Sequence, residues 1–384
     1  MDIIFKSTVQ FVLKVVVTNI EEYLASEDES SRVIALDKAL KLNRTLEKPK
    51  DAVFKLSLSP VLFMAVKMGH DLNVFTSLVD SGPASAKQLA AENADVTLVG
   101  IPYFTSTGTI GFAEEYGPGL YAPTPLSHKM TQRTTIGMMD SVFCESLPAI
   151  NRTLALLKTT GYLNPGNPHF GPMQYTFNTD ATVWEWLAEN PEALARFNTY
   201  MEGIRGSRPH WADWFPVQQQ VIDGTSKEVT RPLLVDIAGG RGHDIAYFSR
   251  RVPDALGQLI LEDLPSVIED IQSLDAKVER VKHDFFTTQS IEGESLLSCS
   301  KILEHIATAM KEGYPKLLIE EFILPDQGAH ILSVLPDMVV MVFCPGMERT
   351  RSQRRKLLKA SGLEVKNLWL PKGDGQGIIE AELA

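Results

Sequence analysis

The chain has 384 residues, of which 44% are hydrophobic and 22% charged, and it carries a formal net charge of −11. This is the composition of a soluble globular protein long enough for two domains or one large one. The acidic balance argues against a nucleic-acid phosphate backbone as partner, because such binding needs clustered Lys and Arg.

The amino end, MDIIFKSTVQFVLKVVVTNI, is apolar but interrupted by Lys6, Gln10 and Lys14. It is too short and too broken to span a bilayer. Phe5, Val9, Leu13 and Val16 recur at helical spacing, which predicts an amphipathic helix packed on the chain or on a second subunit. Residues 21 to 80 are also helical in pattern, with a buried helix over Ser57–Phe75 that ends near Gly69. Ser85 opens a further helix. Gly108 to Phe112 and Gly119 to Pro123 predict two short strands around an acidic turn, Glu114 to Gly117. Helices followed by a small hairpin suggest a winged-helix element. With no basic stripe nearby, its expected task is structural or dimerising.

A helix is predicted after Thr182, with Trp186, Leu187, Leu194, Phe197 and Met201 on nearby faces. From residue 230 short apolar runs alternate with helical segments. Leu233–Ile237, Gln258–Leu261, Lys316–Ile319, Glu364–Leu370 and Gly377–Leu383 read as strands of a mostly parallel, doubly wound sheet. Cys144, Cys299 and Cys344 have no metal-ligand spacing, which fits free thiols in a reducing, cytoplasmic setting, with no metal expected.

The strongest local signal is LLVDIAGGRGHDIAYFSRRVP, residues 233 to 253. A strand ends at Asp236, Gly239, Gly240 and Gly242 permit a tight turn against a ligand, and a helix starts near His243. The second strand ends in Glu262 and Asp263, either of which could reach ribose hydroxyls, and Asp284 follows a third strand. Acids at the carboxyl ends of three successive strands point to an adenosine-containing ligand.

Over nearly its whole length the chain resembles the plant-and-fungal type of S-adenosylmethionine-dependent O-methyltransferases acting on small aromatic and polyketide-like molecules. The matching phrases include GLYAPTPLS, LLVDIAGGRGHD, LEDLPSVIED, HDFF, KLLIEEFILPD and GMERT. The resemblance implies an α/β architecture. A Rossmann-like methyltransferase domain, residues 129–384, would follow a mostly helical, homodimerising domain with a winged element, residues 1–128. It assigns Gly239, Gly240, Gly242, Asp263 and Asp284 to S-adenosylmethionine, with Asp263 on the ribose and Asp284 near the adenine. The family's first glycine of the turn is Ala238 here.

Methyl transfer to a hydroxyl needs alignment and a base. The family supplies a His in a phrase like L-H-D-W after its fourth strand, oriented by two acids. Both acids match, as Glu321 and Glu348, and no other task for them is evident in the sequence. The His and a recognisable fourth strand do not: HDFFTTQSIEGE runs on to LLSCSKILEH. The most economical repair makes Ser295 to Cys299 a short fourth strand, with a helix capped by Ser300. Three outcomes compete: an O-methyltransferase with weakened or lost activity, a relative using the bound cofactor as a fixed positive charge for pericyclic or dehydration chemistry, and a non-enzymatic binding protein. A lost exon would leave the same gap. Phe143, Trp186, Phe197, Met201 and Met341 are the expected lining of an apolar, ring-sized substrate pocket.

Overall fold

In the computed structural model the described residues are 3–90, 94–98, 108, 110–203, 209–223, 230–283, 295–311, 316–329, 331–372 and 375–384. They form two compact units, Met1–Arg152 with Trp184–Gly206, and Thr153–Val183 with Ser207–Ala384.

The first unit is helical. α1 (Ile3–Ser26) packs on α2 (Glu29–Leu46), whose start is capped by the Asp28 carboxylate accepting from Ser30 N at 3.0 Å and Ser31 N at 3.1 Å. α3 (Pro49–Asp71) and α4 (Val74–Ser81) follow. Ala65, Val66, Phe75 and Leu78 from these two helices build a core with Leu89, Tyr121 and Met139. α3 is long and apolar enough to cross a membrane, with a mean hydropathy of 1.4. Only its last turns are buried, Ala65 and Val66 in this core with Lys67 and Gly69 beside them, while Val53, Phe54, Leu56, Val61 and Met64 are exposed.

Three short strands, β1 (Ala84–Ser85), β2 (Glu114–Gly117) and β3 (Leu120–Ala122), pair antiparallel in the order β1-β3-β2. The acidic segment Glu114 to Gly117, expected as a turn, is therefore itself a strand. It is exposed on an edge, so it lacks the alternation that marks half-buried strands. Gly111 lies in a turn, not in the expected first strand. α5 (Arg133–Ser141) leads into a π-helical turn, Val142–Ser146. α6 (Val183–Glu189) and α7 (Pro191–Gly203) split the single helix expected after Thr182 at Asn190. α5 and α7 approach closely, since a Cβ on Gly137 would lie 2.5 Å from Thr199 and one on Gly203 2.4 Å from Thr134.

The second unit is α/β. β4 (Pro232–Ile237), α8 (His243–Arg251), β5 (Gln258–Asp263) and β6 (Val278–Lys282) give a parallel sheet in the order β4-β5-β6. After α9 (Ser295–Lys311) come β7 (Leu317–Glu321), α10 (Ile331–Phe343), α11 (Arg351–Ala360), β8 (Leu363–Trp369) and β9 (Gly377–Leu383). Here the order is β7-β9-β8 and all pairing is antiparallel, because β9 returns between β7 and β8. The sheet is thus half parallel and half antiparallel rather than mostly parallel.

Ser295 to Cys299, expected as a stub of the fourth strand, is instead the first part of α9, and Ser300 lies inside that helix rather than at its cap. Among the described residues no strand joins β4 to β7, and the sheet is interrupted between them. One core nevertheless spans the interruption: Leu318 of β7 and Ile378 of β9 pack with Leu233, Leu234, Ile245, Phe248 and Leu261. Burying side chains such as Phe248 and Leu261 fully contributes about 1.5–3 kcal/mol each.

Candidate active site

β4 delivers the chain to the glycine turn. Ala238, Gly240 and Gly242 adopt φ of 59°, 59° and 76°, so left-handed residues alternate through it. Such alternation aims successive N–H groups into a concavity suited to polar ligands. Packing fixes the floor of the turn: a Cβ on Gly239 would lie 2.4 Å from Asp236 Oδ2 and 2.6 Å from Leu261. Above Gly240 the same test meets nothing within 4 Å, leaving backbone open to a ligand.

β5, paired in register with β4, brings Asp263 to this turn. Its carboxylate is buried, accepting from Gly240 N at 2.8 Å through Oδ2 and from Leu264 N at 2.7 Å through Oδ1. Two residues 23 positions apart therefore share one small polar site, and the acid beside the turn is Asp263. Asp284 lies outside the described residues.

The sequence had marked Asp236 only as a strand end, yet it belongs to the same site. Its Oδ2 is buried with no hydrogen-bond partner. Burial, then the charges of Asp244 and Glu320, push its carboxyl up to about 7. A buried acceptor without a donor beside an open backbone cradle suits a ligand bearing a cationic amine. The signal for it was a carboxylate closing an apolar strand just before the glycines.

Glu321 ends β7. Glu348 is held by a parallel bridge of Leu324 with Thr350, with Arg351 N donating to Leu324 O at 3.0 Å, and its own N–H donates to Asp337 Oδ1 at 2.7 Å. The two glutamates converge on Arg354 of α11, which is only 6% exposed. Its Nη2 pairs with Glu321 Oε2 and lies 3.4 Å from Glu348 Oε2. Burial chiefly, then Glu321, pushes Glu348 up to about 7, with Arg354 opposing. Burial also raises Glu321, against the pull of Arg354 and Arg349. Neither glutamate pairs with a histidine among the described residues. The acids thus have a task the sequence did not disclose, holding a buried guanidinium. Nearby, Arg349 Nη2 points at Cys299 Sγ, 3.7 Å away, on the first turns of α9.

The expected pocket residues divide between the units. Phe143, Trp186, Phe197 and Met201 belong to the first, and Met341, on α10, to the second. Phe143 sits in the π-helical turn, its ring centroid 6.0 Å from that of Phe63, with the Lys67 ammonium 5.6 Å over its face. Phe197 meets Trp184 edge-on at 5.7 Å, while Trp186 and Met201 extend the same helices. His70, Asp71 and Asp140 each bring a ligand-type atom within 4.8 Å of the others. The Lys67 ammonium pairs with Asp71 and lies 3.1 Å from Asp140, so a side-chain cation already serves this cluster.

The O-methyltransferase domain model matches residues 173–364. The O-methyltransferase penC of Penicillium thymicola is 34% identical over 92% of each chain. Among solved structures, OxaC in complex with SAH and oxaline superposes with a TM-score of 0.83 at 25% identity, covering 99% of this chain and all of its own. A structure described as a pericyclic reaction enzyme gives 0.86 at 23% identity, covering 98% of this chain and all of its own, and so shares the fold.

Proposed function

Because the chain belongs to the O-methyltransferase family, we propose that it binds S-adenosylmethionine at the glycine turn and acts on a hydroxyl of a small aromatic or polyketide-like secondary metabolite. The observation that carries this is the convergence of an open glycine backbone, Asp263 and the unpartnered Oδ2 of Asp236 on one small site. Gly239, Gly240 and Gly242 would form the cradle, Asp263 would accept from the ribose hydroxyls, and Asp236 would take the ammonium of the amino-acid end. Asp284 is proposed near the adenine. The cofactor supplies an electrophilic methyl on a sulfonium. The acceptor is assigned to Phe143, Trp186, Phe197, Met201 and Met341, which offer apolar and aromatic surface for a ring.

The acceptor oxygen must lose its proton near the moment of attack. Glu321 and Glu348 are proposed as the groups that would orient a base, and here both hold Arg354 instead. Methyl transfer is therefore slow in this chain. The test is binding followed by turnover. Calorimetry should show S-adenosylmethionine binding, while label transfer from its methyl group to a panel of phenols should be weak. It should rise when a strand-plus-LHDW segment is inserted ahead of α9, between Phe286 and Ser295. A fully active wild-type enzyme would contradict the assignment of a missing base.

The Arg354 clamp favours a second reading. With no base and a buried cation beside the acids, the bound sulfonium could act as a fixed positive charge for a pericyclic or dehydration step. Retention of the glutamates does not decide against it, since they have Arg354 to hold.

We also infer a homodimer in the cytoplasm. Phe11 and Leu24 on α1, and Val53, Phe54 and Leu56 on α3, are each more than 60% exposed, apolar surface of the kind that subunit contacts cover. The three cysteines are free thiols.

A further inference from the structure

We propose that His210 is a positioning residue of the glycine-turn site: by holding Asp244 on the first turn of α8 it strengthens the grip of that site on the ammonium of its ligand. The proposal rests on the reading above that Asp236 takes that ammonium.

The chain builds a firm mount for this histidine. His210 is the N-cap of a short helix, Trp211–Trp214, and its side chain is buried. Three contacts fix that helix on α8. The His210 ring stacks on Tyr247 with centroids 4.0 Å apart, and Trp211 stacks on Phe248 at 5.5 Å. The Tyr247 hydroxyl donates to Asp213 Oδ1 at 2.8 Å. Tyr247 and Phe248 lie three and four positions after Asp244, so all three share the face of α8 that meets this helix.

The contacts of the ring define its polarity. Nδ1 accepts from Ala212 N–H at 3.1 Å, so a neutral ring carries its proton on Nε2. Nε2 lies 2.9 Å from Asp244 Oδ1, off the line of a regular hydrogen bond. This contact attracts the carboxylate whether the ring is neutral or protonated. The Asp244 side chain is 41% exposed, so a variant without Nε2 lets it turn towards water.

Asp244 and Asp236 belong to one strand–turn–helix unit, the acid of β4 before the glycines and the acid of α8 after them. They sense each other. After burial, Asp244 is the largest influence that raises the Asp236 carboxyl; Glu320 and Asp263 act in the same direction and the Ile245 N–H opposes. The negative potential that resists ionisation of Asp236 is the potential that attracts a cation. Asp236 supplies the contact, Asp244 adds to the field, and His210 keeps Asp244 facing the site. The effect is confined to the amine end of the ligand, because the nucleoside end is assigned to Gly240 and Asp263.

The test compares two ligands on the purified whole chain at pH 8: S-adenosylhomocysteine, by calorimetry, and its analogue with hydrogen in place of the α-amino group, by competition. Wild type should prefer the amine. His210→Phe keeps a ring on Tyr247 and removes Nε2. It should lower the preference about fivefold, the size of one ordinary polar interaction, and leave the deamino analogue unchanged. His210→Gln retains a donor and should recover the preference. Asp244→Asn should lower it by the same factor, and His210→Phe should add nothing in that background. Asp244 is partly exposed on its helix, so this variant tests the pair even where His210 variants fold poorly. The proposal is overturned if His210→Phe weakens both ligands alike, which a purely structural role would give. It is also overturned if the preference stays or rises, or if the effects of the two substitutions add. Asp236→Asn separates the two failures. If it abolishes the preference and His210→Phe does not, only the role of His210 falls; if it too leaves the preference intact, the ammonium assignment to Asp236 falls with it.

Discussion

Replacing Arg354 by Met tests the clamp directly. Met keeps an apolar stem of similar length and removes the charge that Glu321 and Glu348 share. Removing one side of a buried ionic cluster costs about 3–5 kcal/mol, because the remaining charges are left uncompensated. In a unit of about two hundred residues each kcal/mol lowers Tm by about 2–4 °C, so the variant should melt roughly 10 °C lower at pH 8. The pH dependence carries the sign. Both carboxyls are raised above their unfolded value of 4.5, Glu348 to about 7. The stability linked to Glu348 is therefore fully present below 4.5 and lost as pH rises through about 7, and Glu321 acts in the same direction. Removing Arg354 raises them further, so the penalty should be large at pH 8 and shrink to about 1 kcal/mol at pH 5, where both acids can take protons. Differential scanning fluorimetry at the two pH values reads this. A loss that is the same at both, or below about 1 kcal/mol at pH 8, would refute the clamp.

Ala238→Gly should stabilise the protein by up to about 1 kcal/mol. Ala pays about 1–2 kcal/mol at its φ of 59°, partly offset by the added freedom of Gly in the unfolded chain; an unchanged or lower denaturation midpoint would contradict that. Asp236→Asn should raise the stability of the ligand-free protein at pH 8 relative to pH 5. Burial lifts the native carboxyl from 3.8 to about 7, a cost on the order of 4 kcal/mol at high pH that vanishes below 3.8. Parallel pH profiles for wild type and variant would show that Asp236 is not the group responsible. The pair Phe54→Glu and Leu56→Glu should convert a dimer to a monomer in light scattering, since both side chains are more than 60% exposed on α3; a monomeric wild type would remove that interface.

The glycine turn was legible because only its backbone requirement explains three glycines between a strand and a helix, and the structure uses Gly240 and Gly242 at positive φ. Asp263 was legible through its distance along the chain from that turn. Arg354 was not. RSQRRKLLK reads as a basic, solvated helix face, and only the fold shows which of its cations turns inward. Ser295 to Cys299 carries neither a strand period nor a helix period, so the need for a central strand decided its reading. The chain instead continues the helix and leaves the sheet open. Glu114 to Gly117 failed for a related reason: an edge strand with both faces wet looks like a turn.

The central claim is that the turn of β4 and Asp263 form a working cofactor site although the sequence holds no L-H-D-W phrase. Titrating S-adenosylmethionine and its demethylated product into the purified chain by calorimetry tests it most directly. Both should bind near micromolar strength, about −8 kcal/mol, and Asp263→Ala should weaken them by at least tenfold. No heat and no thermal shift with either ligand would contradict the account.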